Sequence, residues 1–198
     1  ASNTTIDITA CTFMQPKTNG LQVITEGTSF SSVDVSNSTF DPGAGLAAAI
    51  DLVTSGSGDM DFNITGNPLI KSRGINAVNI FGFAGSKFEG RVNNNTINVG
   101  GGSGSGAGVR VNAQGNQNSL IEIKNNTITG GDDYGITNIA SLGSGRLDVT
   151  ITGNAISLGN AGAYGIHTAA GVSSSTFTNK VCANVANNVT TGVPIPNA

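Results

Sequence analysis

Tryptophan is absent from this 198-residue sequence, histidine occurs once, and charged residues make up only 11% of it. Each shortage excludes something. The nine Lys and Arg residues are scattered, so there is no basic stripe to neutralise a run of phosphates, and nucleic acid is not an expected partner. No apolar run reaches the roughly 20 residues a helix needs to cross a bilayer. The longest candidate, 46–53, is interrupted by Asp51, so membrane insertion is not expected either. His167 is the sole histidine and no repeated acid aligns with it, which leaves a Ser-His-Asp or Cys-His arrangement without support. Charged residues do not recur at i, i+4 spacing, and Gly or Asn interrupts nearly every window long enough for three helical turns. An all-β chain is expected. Low charge does not imply disorder here, because Ile, Val, Leu and Phe recur at regular places and the formal net charge is only -3.

What is abundant is glycine, with 29 residues, together with a six-residue cassette at 8–13, 35–40, 64–69, 92–97, 123–128 and 151–156. A looser seventh copy starts at Val181 or Val185. The fourth position runs Cys11, Ser38, Asn67, Asn95, Asn126, Asn154 and then Asn184 or Asn188, giving steps of 27, 29, 28, 31, 28 and 30 or 34 residues. A near-constant period of this size marks a repeat architecture. The cassette begins and ends on apolar residues, and the residue two before it is often apolar as well: Ile6, Val33, Phe62, Ile121, Val149. That spacing is the strand period. The third position is Ala10, Asn37, Gly66, Asn94, Asn125 and Gly153, mostly the residue types that accept positive φ at least cost, so a sharp bend belongs there. Asn67, Asn95, Asn126 and Asn154 then fall at one point of successive coils, where their side-chain amides bond along the stack as a ladder.

A second signal is Gly followed by a branched apolar residue, at Gly20-Leu21, Gly45-Leu46, Gly74-Ile75, Gly108-Val109, Gly135-Ile136 and Gly165-Ile166. One falls between each pair of cassettes and marks the start of a new strand. Gly-, Ser- and Asn-rich stretches such as 54–58 and 100–108 read as corner loops that absorb the variation in period. The 100–108 stretch shares composition with a phosphate-cradling loop but lacks the Gly-Lys-Ser/Thr ending and the helix that would follow.

On Ile64-Thr-Gly-Asn67, Asn94-Asn95-Thr96-Ile97, Asn125-Asn126-Thr127-Ile128 and Ile151-Thr-Gly-Asn154, the chain resembles right-handed parallel β-helix proteins of the pectin-lyase-like type. These include bacterial surface adhesins, secreted polysaccharide lyases and phage tailspikes. The resemblance covers nearly the whole chain. It implies an all-β, right-handed parallel β-helix solenoid of about seven coils with an asparagine ladder, 1–198 forming a single domain and 191–198 an extended proline-containing tail. The competing architecture, a β-sandwich or barrel with Gly-rich turns, predicts no fixed asparagine position. Because one such fold hosts enzymes, adhesins and structural proteins alike, function has to be read from the outward columns.

The residue before each cassette runs Asp7, Asp34, Asn63, Arg91, Glu122, Thr150, with Lys180 if the last copy begins at Val181. Arg91 and Glu122 are expected as neighbours across about 4.8 Å, a surface ion pair worth under about 1 kcal/mol. Two positions earlier stand Asp61, Glu89 and Asp148, the first two adjacent. Adjacent acids bind Ca²⁺ or act as general acid and base in the polysaccharide-degrading members of the resembled family, but Ca²⁺ takes about six to eight oxygens and only two carboxylates meet here. No metal and no cofactor is expected, and a solvated surface is the simpler reading. Asp132 and Asp133 lie in a corner loop, where Asp usually caps or bends the backbone. With Tyr134, and Tyr164 in register one coil later, they form either a carbohydrate platform or a shield over the core. Asn-x-Ser/Thr sequons at Asn3, Asn37, Asn63, Asn94, Asn125 and Asn188 are partly by-products of the Asn-Thr turn and matter only in a cell that glycosylates them.

Cys11 and Cys182 belong to the first and last coils, about 29 Å apart at the strand spacing, whereas a disulfide needs Cα atoms within about 7 Å. They are either free and structural or join one subunit's bottom coil to another's top. No amphipathic helix caps either end, so the terminal coils are expected to be covered by other copies or by more chain. Head-to-tail stacking of copies would build a filament, with Val193 and Ile195 of the tail lying along the next subunit. The expected function is a non-enzymatic extracellular structural or adhesive protein, secreted or at a cell surface, since a small-residue start is compatible with a removed signal. Two alternatives stand beside it. A polysaccharide lyase or hydrolase requires Asp61, Glu89 and a base such as Lys87 or Arg91 to converge in a groove, and a carbohydrate-binding module would use Tyr134 and Tyr164.

Overall fold

Each of the first six cassettes turns on its third residue: φ is 54° at Ala10, 49° at Asn37, 63° at Gly66, 57° at Asn94, 53° at Asn125 and 69° at Gly153. The left-handed bend expected from Gly and Asn is present even where the residue is Ala. It lets one strand end and the next begin two residues later. The computed structural model describes residues 2–16, 18–41, 48–73, 76–100, 106–115, 118–131, 133–141, 146–159 and 163–169, and the backbone of 170, 176–182 and 185–186.

The first coil consists of β1 (Asn3–Thr9), β2 (Thr12–Met14) and β3 (Leu21–Thr25). The pattern returns as β4 (Phe30–Ser36), β5 (Thr39–Asp41) and β6 (Ile50–Thr54), then β7 (Asp59–Thr65), β8 (Leu69–Arg73) and β9 (Val78–Gly82). β10 (Lys87–Asn93), β11 (Thr96–Gly100) and β12 (Ala107–Gln114) form the fourth coil, and β13 (Asn118–Lys124), β14 (Thr127–Gly130) and β15 (Tyr134–Ser141) the fifth. β16 (Arg146–Thr152), β17 (Ala155–Ser157) and β18 (Tyr164–Ala170) complete the sixth, followed by β19 (Thr176–Cys182) and β20 (Val185–Ala186). Every third strand pairs in parallel. Sheet A runs β1-β4-β7-β10-β13-β16-β19, sheet B runs β2-β5-β8-β11-β14-β17-β20, and sheet C stacks β3 through β18. The protein is an all-β parallel solenoid of six complete coils and two strands of a seventh, slightly short of seven full turns. No helix is long and apolar enough to cross a membrane among the described residues.

Register settles three points of the repeat. Val181 pairs with Ile151, so the last cassette begins there, with Lys180 beside Thr150 and Cys182 beside Thr152. Asn184, its fourth position, lies outside the described residues. In the third cassette the inward residue is Ile70, which pairs with Phe40 and Ile97, whereas Leu69 pairs with the exposed-column Thr39. Pro68 has no N–H to give the ladder strand and is accommodated as an extra residue, which moves the apolar position by one. In sheet C the aligned column is Leu21, Ile50, Val78, Val109, Ile136 and Ile166, so β6 and β9 start four and three residues after the expected Leu46 and Ile75, which lie outside the described residues. The residue ahead of that column is Gly20, Ala49, Ala77, Gly108, Gly135 and Gly165, and the requirement is therefore for a small residue rather than for glycine. A Cβ at Gly108 would lie 2.5 Å from Ile128 Cγ2, and one at Gly135 2.5 Å from Ile156 Cγ2.

The interior is one continuous apolar column system. Val33, Val35, Ile64, Ile121, Ile123 and Ile151 of sheet A face Ile70, Ile97 and Ile128 of sheet B and Leu52, Ile80 and Val111 of sheet C, all almost fully buried. Phe13 stacks on Phe40 with centroids 4.6 Å apart.

At the corner between sheets A and B the four asparagines form the ladder. Asn67 Nδ2 donates to Asn95 Oδ1 at 2.8 Å, Asn95 Nδ2 to Asn126 Oδ1 at 3.0 Å, and Asn126 Nδ2 to Asn154 Oδ1 at 2.9 Å. Each Oδ1 also receives the backbone N–H of the preceding rung at 3.0 Å, and each Nδ2 also reaches a carbonyl of the coil before: Val35, Ile64, Val92 and Ile123. Ser38 shortens the ladder at its lower end, its Oγ accepting from Cys11 N at 3.0 Å. Asn126→Ala strands the donors of Asn95, the carbonyl of Val92 and one partner of Asn154, all buried. It should cost at least about 3 kcal/mol in denaturant unfolding, since each orphaned buried group costs roughly 1–3 kcal/mol.

One inward position breaks the apolar rule. Asn138 is 0% exposed, pairs in register with Val111 and Thr168, and neither polar atom of its side chain has a hydrogen-bond partner among the described residues. An unpaired buried amide is destabilising. Asn138→Val should raise the unfolding midpoint, by roughly 1–3 kcal/mol in stability, in thermal or denaturant unfolding.

Candidate functional site

Two outward faces collect chemistry, and register decides which side chains share them. On sheet A, β7 and β10 align Asp61 with Glu89 and Asn63 with Arg91. A groove of about 280 Å³ runs over them, lined by Ser32, Asp34, Asp61, Asn63, Glu89 and Arg91. Asp61, Glu89 and Arg91 therefore share one groove, with Lys87 beside Glu89. Its electrostatics are specific. Lys87 Nζ sits 2.8 Å from Glu89 Oε1, and this hydrogen bond holds the ammonium above its ordinary pKa. The opposite shift is what a lysine base needs at neutral pH. The Asp61 carboxyl is pushed up, first by partial burial and then by the neighbouring Asp59 and Glu89 charges, with Lys87 opposing. Two carboxylates one rung apart are responsible for part of that rise.

The expected Arg91–Glu122 ion pair does not form. The two are register neighbours, but Glu122 takes Lys124 Nζ on its own strand and Asn93 Nδ2 at 2.7 Å. Those bonds, ahead of the more distant Arg91 charge, hold its pKa below the ordinary value. Asp148 is paired with Arg146 at 2.8 Å. Among the described residues no three His, Cys, Asp or Glu side chains gather where they could hold a metal ion.

On sheet C, Tyr134 and Tyr164 are register partners whose rings stack at 5.9 Å and 15°. His167 joins them, 5.0 Å from Tyr134 and 5.9 Å from Tyr164. It also shares a 3.2 Å hydrogen bond between its Nδ1 and Thr137 Oγ1. A cavity of about 270 Å³ is lined by Asn76, Arg110, Tyr134, Thr137, Ile139 and His167. Asp133 serves the fold through its carbonyl, which accepts from Tyr164 N at 2.7 Å. Asp132 lies outside the described residues, as do Val193 and Ile195.

Sequence reasoning placed the tyrosine pair together but missed Arg110, Asn76, Thr137 and His167. The signal was available. The residue after the small–branched doublet forms the column Gln22, Asp51, Asn79, Arg110, Thr137, His167, polar at every rung. Reading it requires Ala49-Ile50 and Ala77-Val78 to be recognised as members of the doublet series.

Cys11 is a free, exposed thiol in the first coil, while Cys182 ends β19 at the far edge of sheet A and shares no column with it. No protein-family model, no curated protein and no solved structure matches the chain.

The raised Asp61 pKa has a consequence for stability. The folded carboxyl holds its proton more tightly than the unfolded one, so stability falls as pH rises through the window between the two values and the penalty stays in place above it. Asp61→Asn should raise the thermal unfolding midpoint modestly at neutral pH. The difference from the unsubstituted protein should vanish as pH falls below the carboxylate range.

Proposed function

We propose that this protein is a non-enzymatic extracellular β-solenoid that serves as a rigid structural or adhesive element, secreted or held at a cell surface, and that copies associate end to end. The observation that carries this reading is the unbroken parallel register from β1 to β19. Such a stack holds its outward columns at a fixed rise of about 4.8 Å, which suits a spacer or a repetitive adhesive surface. The resemblance of the cassettes to those of pectin-lyase-like β-helix proteins supports the extracellular setting. End-to-end association is supported by the repeat itself, since the register that joins one coil to the next is one a second copy can continue. A contact of that kind does not close and gives a filament.

A polysaccharide lyase or hydrolase is the second reading, favoured by the convergence of Asp61, Glu89 and Arg91 in one groove. Against it, Glu89 is bound to a Lys87 whose proton is held rather than released.

Negative-stain microscopy and light scattering over a rising concentration series should show short rods that join into filaments. A monodisperse monomer at the highest concentration, with its β circular dichroism intact, would overturn self-association. Release of reducing ends or unsaturated products from neutral or acidic polysaccharides, abolished in Asp61→Asn and Glu89→Gln, would replace the structural reading with the enzymatic one.

A further inference from the structure

The outward column of sheet C is electrostatically complete at one end and incomplete at the other. Asp51, 9% exposed, accepts from Asn19 Nδ2 at 3.0 Å, Gln22 Nε2 at 2.8 Å and Asn79 Nδ2 at 2.8 Å, so both carboxylate oxygens are used by amides. Arg110 stands one rung beyond Asn79, half-buried, with no ion pair and no hydrogen bond to any described residue. A guanidinium in a cleft, without an anion, is set up to take a carboxylate through two parallel N–H bonds.

The aromatic pair beside it is also one-sided. Tyr164 covers one face of the Tyr134 ring, but the register neighbour on the other side is Ala107, which puts no ring there. The cavity that Arg110 lines is also lined by Tyr134. Its volume, about 270 Å³, suits one sugar ring rather than a chain. Thr137, 3% exposed, fixes His167 through Nδ1 and leaves Nε2 for a ligand hydroxyl. An aromatic face for C–H groups, a cation for a carboxylate and an imidazole nitrogen for a hydroxyl together describe an acidic monosaccharide.

We infer that this cleft binds the carboxylate-bearing sugar unit of a glycan, with Arg110 on the carboxylate, Tyr134 against the ring and His167 on a hydroxyl. This gives the adhesive reading a site and a ligand class, and the two fail separately: loss of sugar binding leaves the rods and filaments intact, and a monomeric protein can still bind the sugar.

The chain has two tyrosines and no tryptophan; Tyr134 lines the cleft and Tyr164 stacks on it, so tyrosine emission reports this site. The full chain is titrated with a glucuronate-containing disaccharide and with its neutral glucose counterpart, by fluorescence and by calorimetry. Saturable binding of the acidic sugar, at least about tenfold tighter than the neutral one, is expected, a ratio equal to about 1.4 kcal/mol. Arg110→Gln should erase the preference and leave the weak neutral binding, with unchanged circular dichroism, while Tyr134→Ala should weaken both ligands. Equal affinities, a preference that survives in Arg110→Gln, or no saturation by about 10 mM would overturn the assignment. Inorganic phosphate competing as well as the acidic sugar would also overturn it, by reducing the cleft to a simple anion site.

Discussion

A buried primary amide carries two donors and an acceptor that all need partners, and in a stack of coils the corner between two sheets can supply them only from the coils above and below. Asn67, Asn95, Asn126 and Asn154 meet that demand with one another and with the backbone. The arrangement fixes the rise between coils and the phase of sheets A and B at once, because a one-residue slip would turn inward residues outward and orphan each amide. The positive-φ bend immediately before each ladder residue belongs to the same device, since it aims the side chain into the stack. With this corner held, length variation is displaced to the other two corners. Even Pro68, one residue past the ladder, is absorbed by a local shift without disturbing Asn67 or Asn95.

Locking rungs in register also dictates the electrostatics. Side chains on one column are held a strand spacing apart whatever their charge, so Asp61 and Glu89 become neighbours, and the Glu89 charge adds to the partial burial and the Asp59 charge that raise the Asp61 pKa. The chain answers mostly along the strand, two residues away on the same face: Lys87 with Glu89, Lys124 with Glu122, Arg146 with Asp148. These pairs are partly exposed and worth little individually. Their effect is to leave Glu89, Glu122 and Asp148 engaged and the Lys87 ammonium held in its charged form, so the groove over Asp61 has no neutral lysine beside it.

Legibility in the sequence followed how local each requirement is. The bend and the ladder were readable because they depend on residue types with special local properties, positive φ and a side-chain amide, at a fixed spacing. The period exposed the solenoid for the same reason. The small–branched doublet was readable only where the small residue is glycine; Ala49 and Ala77 satisfy the same steric limit and carry no such marker. The shift from Leu69 to Ile70 was hidden because Pro68 looks like an ordinary cassette residue until its missing N–H is set against a parallel neighbour. Asn138 was invisible, since nothing in a single strand distinguishes an inward amide without partners from an outward one with them. The Arg110, Thr137 and His167 alignment depends on pairings about 30 residues apart, and those misplaced doublets obscured the column it belongs to.

The small-residue column explains why ligand chemistry gathers on sheet C. Gly108 and Gly135 let Ile128 and Ile156 of sheet B press directly against the start of the sheet C strands. A side chain at Gly108 or Gly135 would meet those isoleucines at 2.5 Å, so this close approach of the two sheets depends on the residue there staying small. The neighbouring residue is then held at the rim of that close contact, and a large side chain at this place, as in Tyr134 and Tyr164, has nowhere to go but outward over the sheet face. Ala107 at the same place in the fourth coil adds no third ring to the stack. The cleft is thus a consequence of tight packing at the corner combined with one change from small to large along a column. Its position between the fourth and fifth coils follows from where that change occurs, and Arg110 and Thr137 border it because they stand three residues beyond Ala107 and Tyr134 on the strands that carry them.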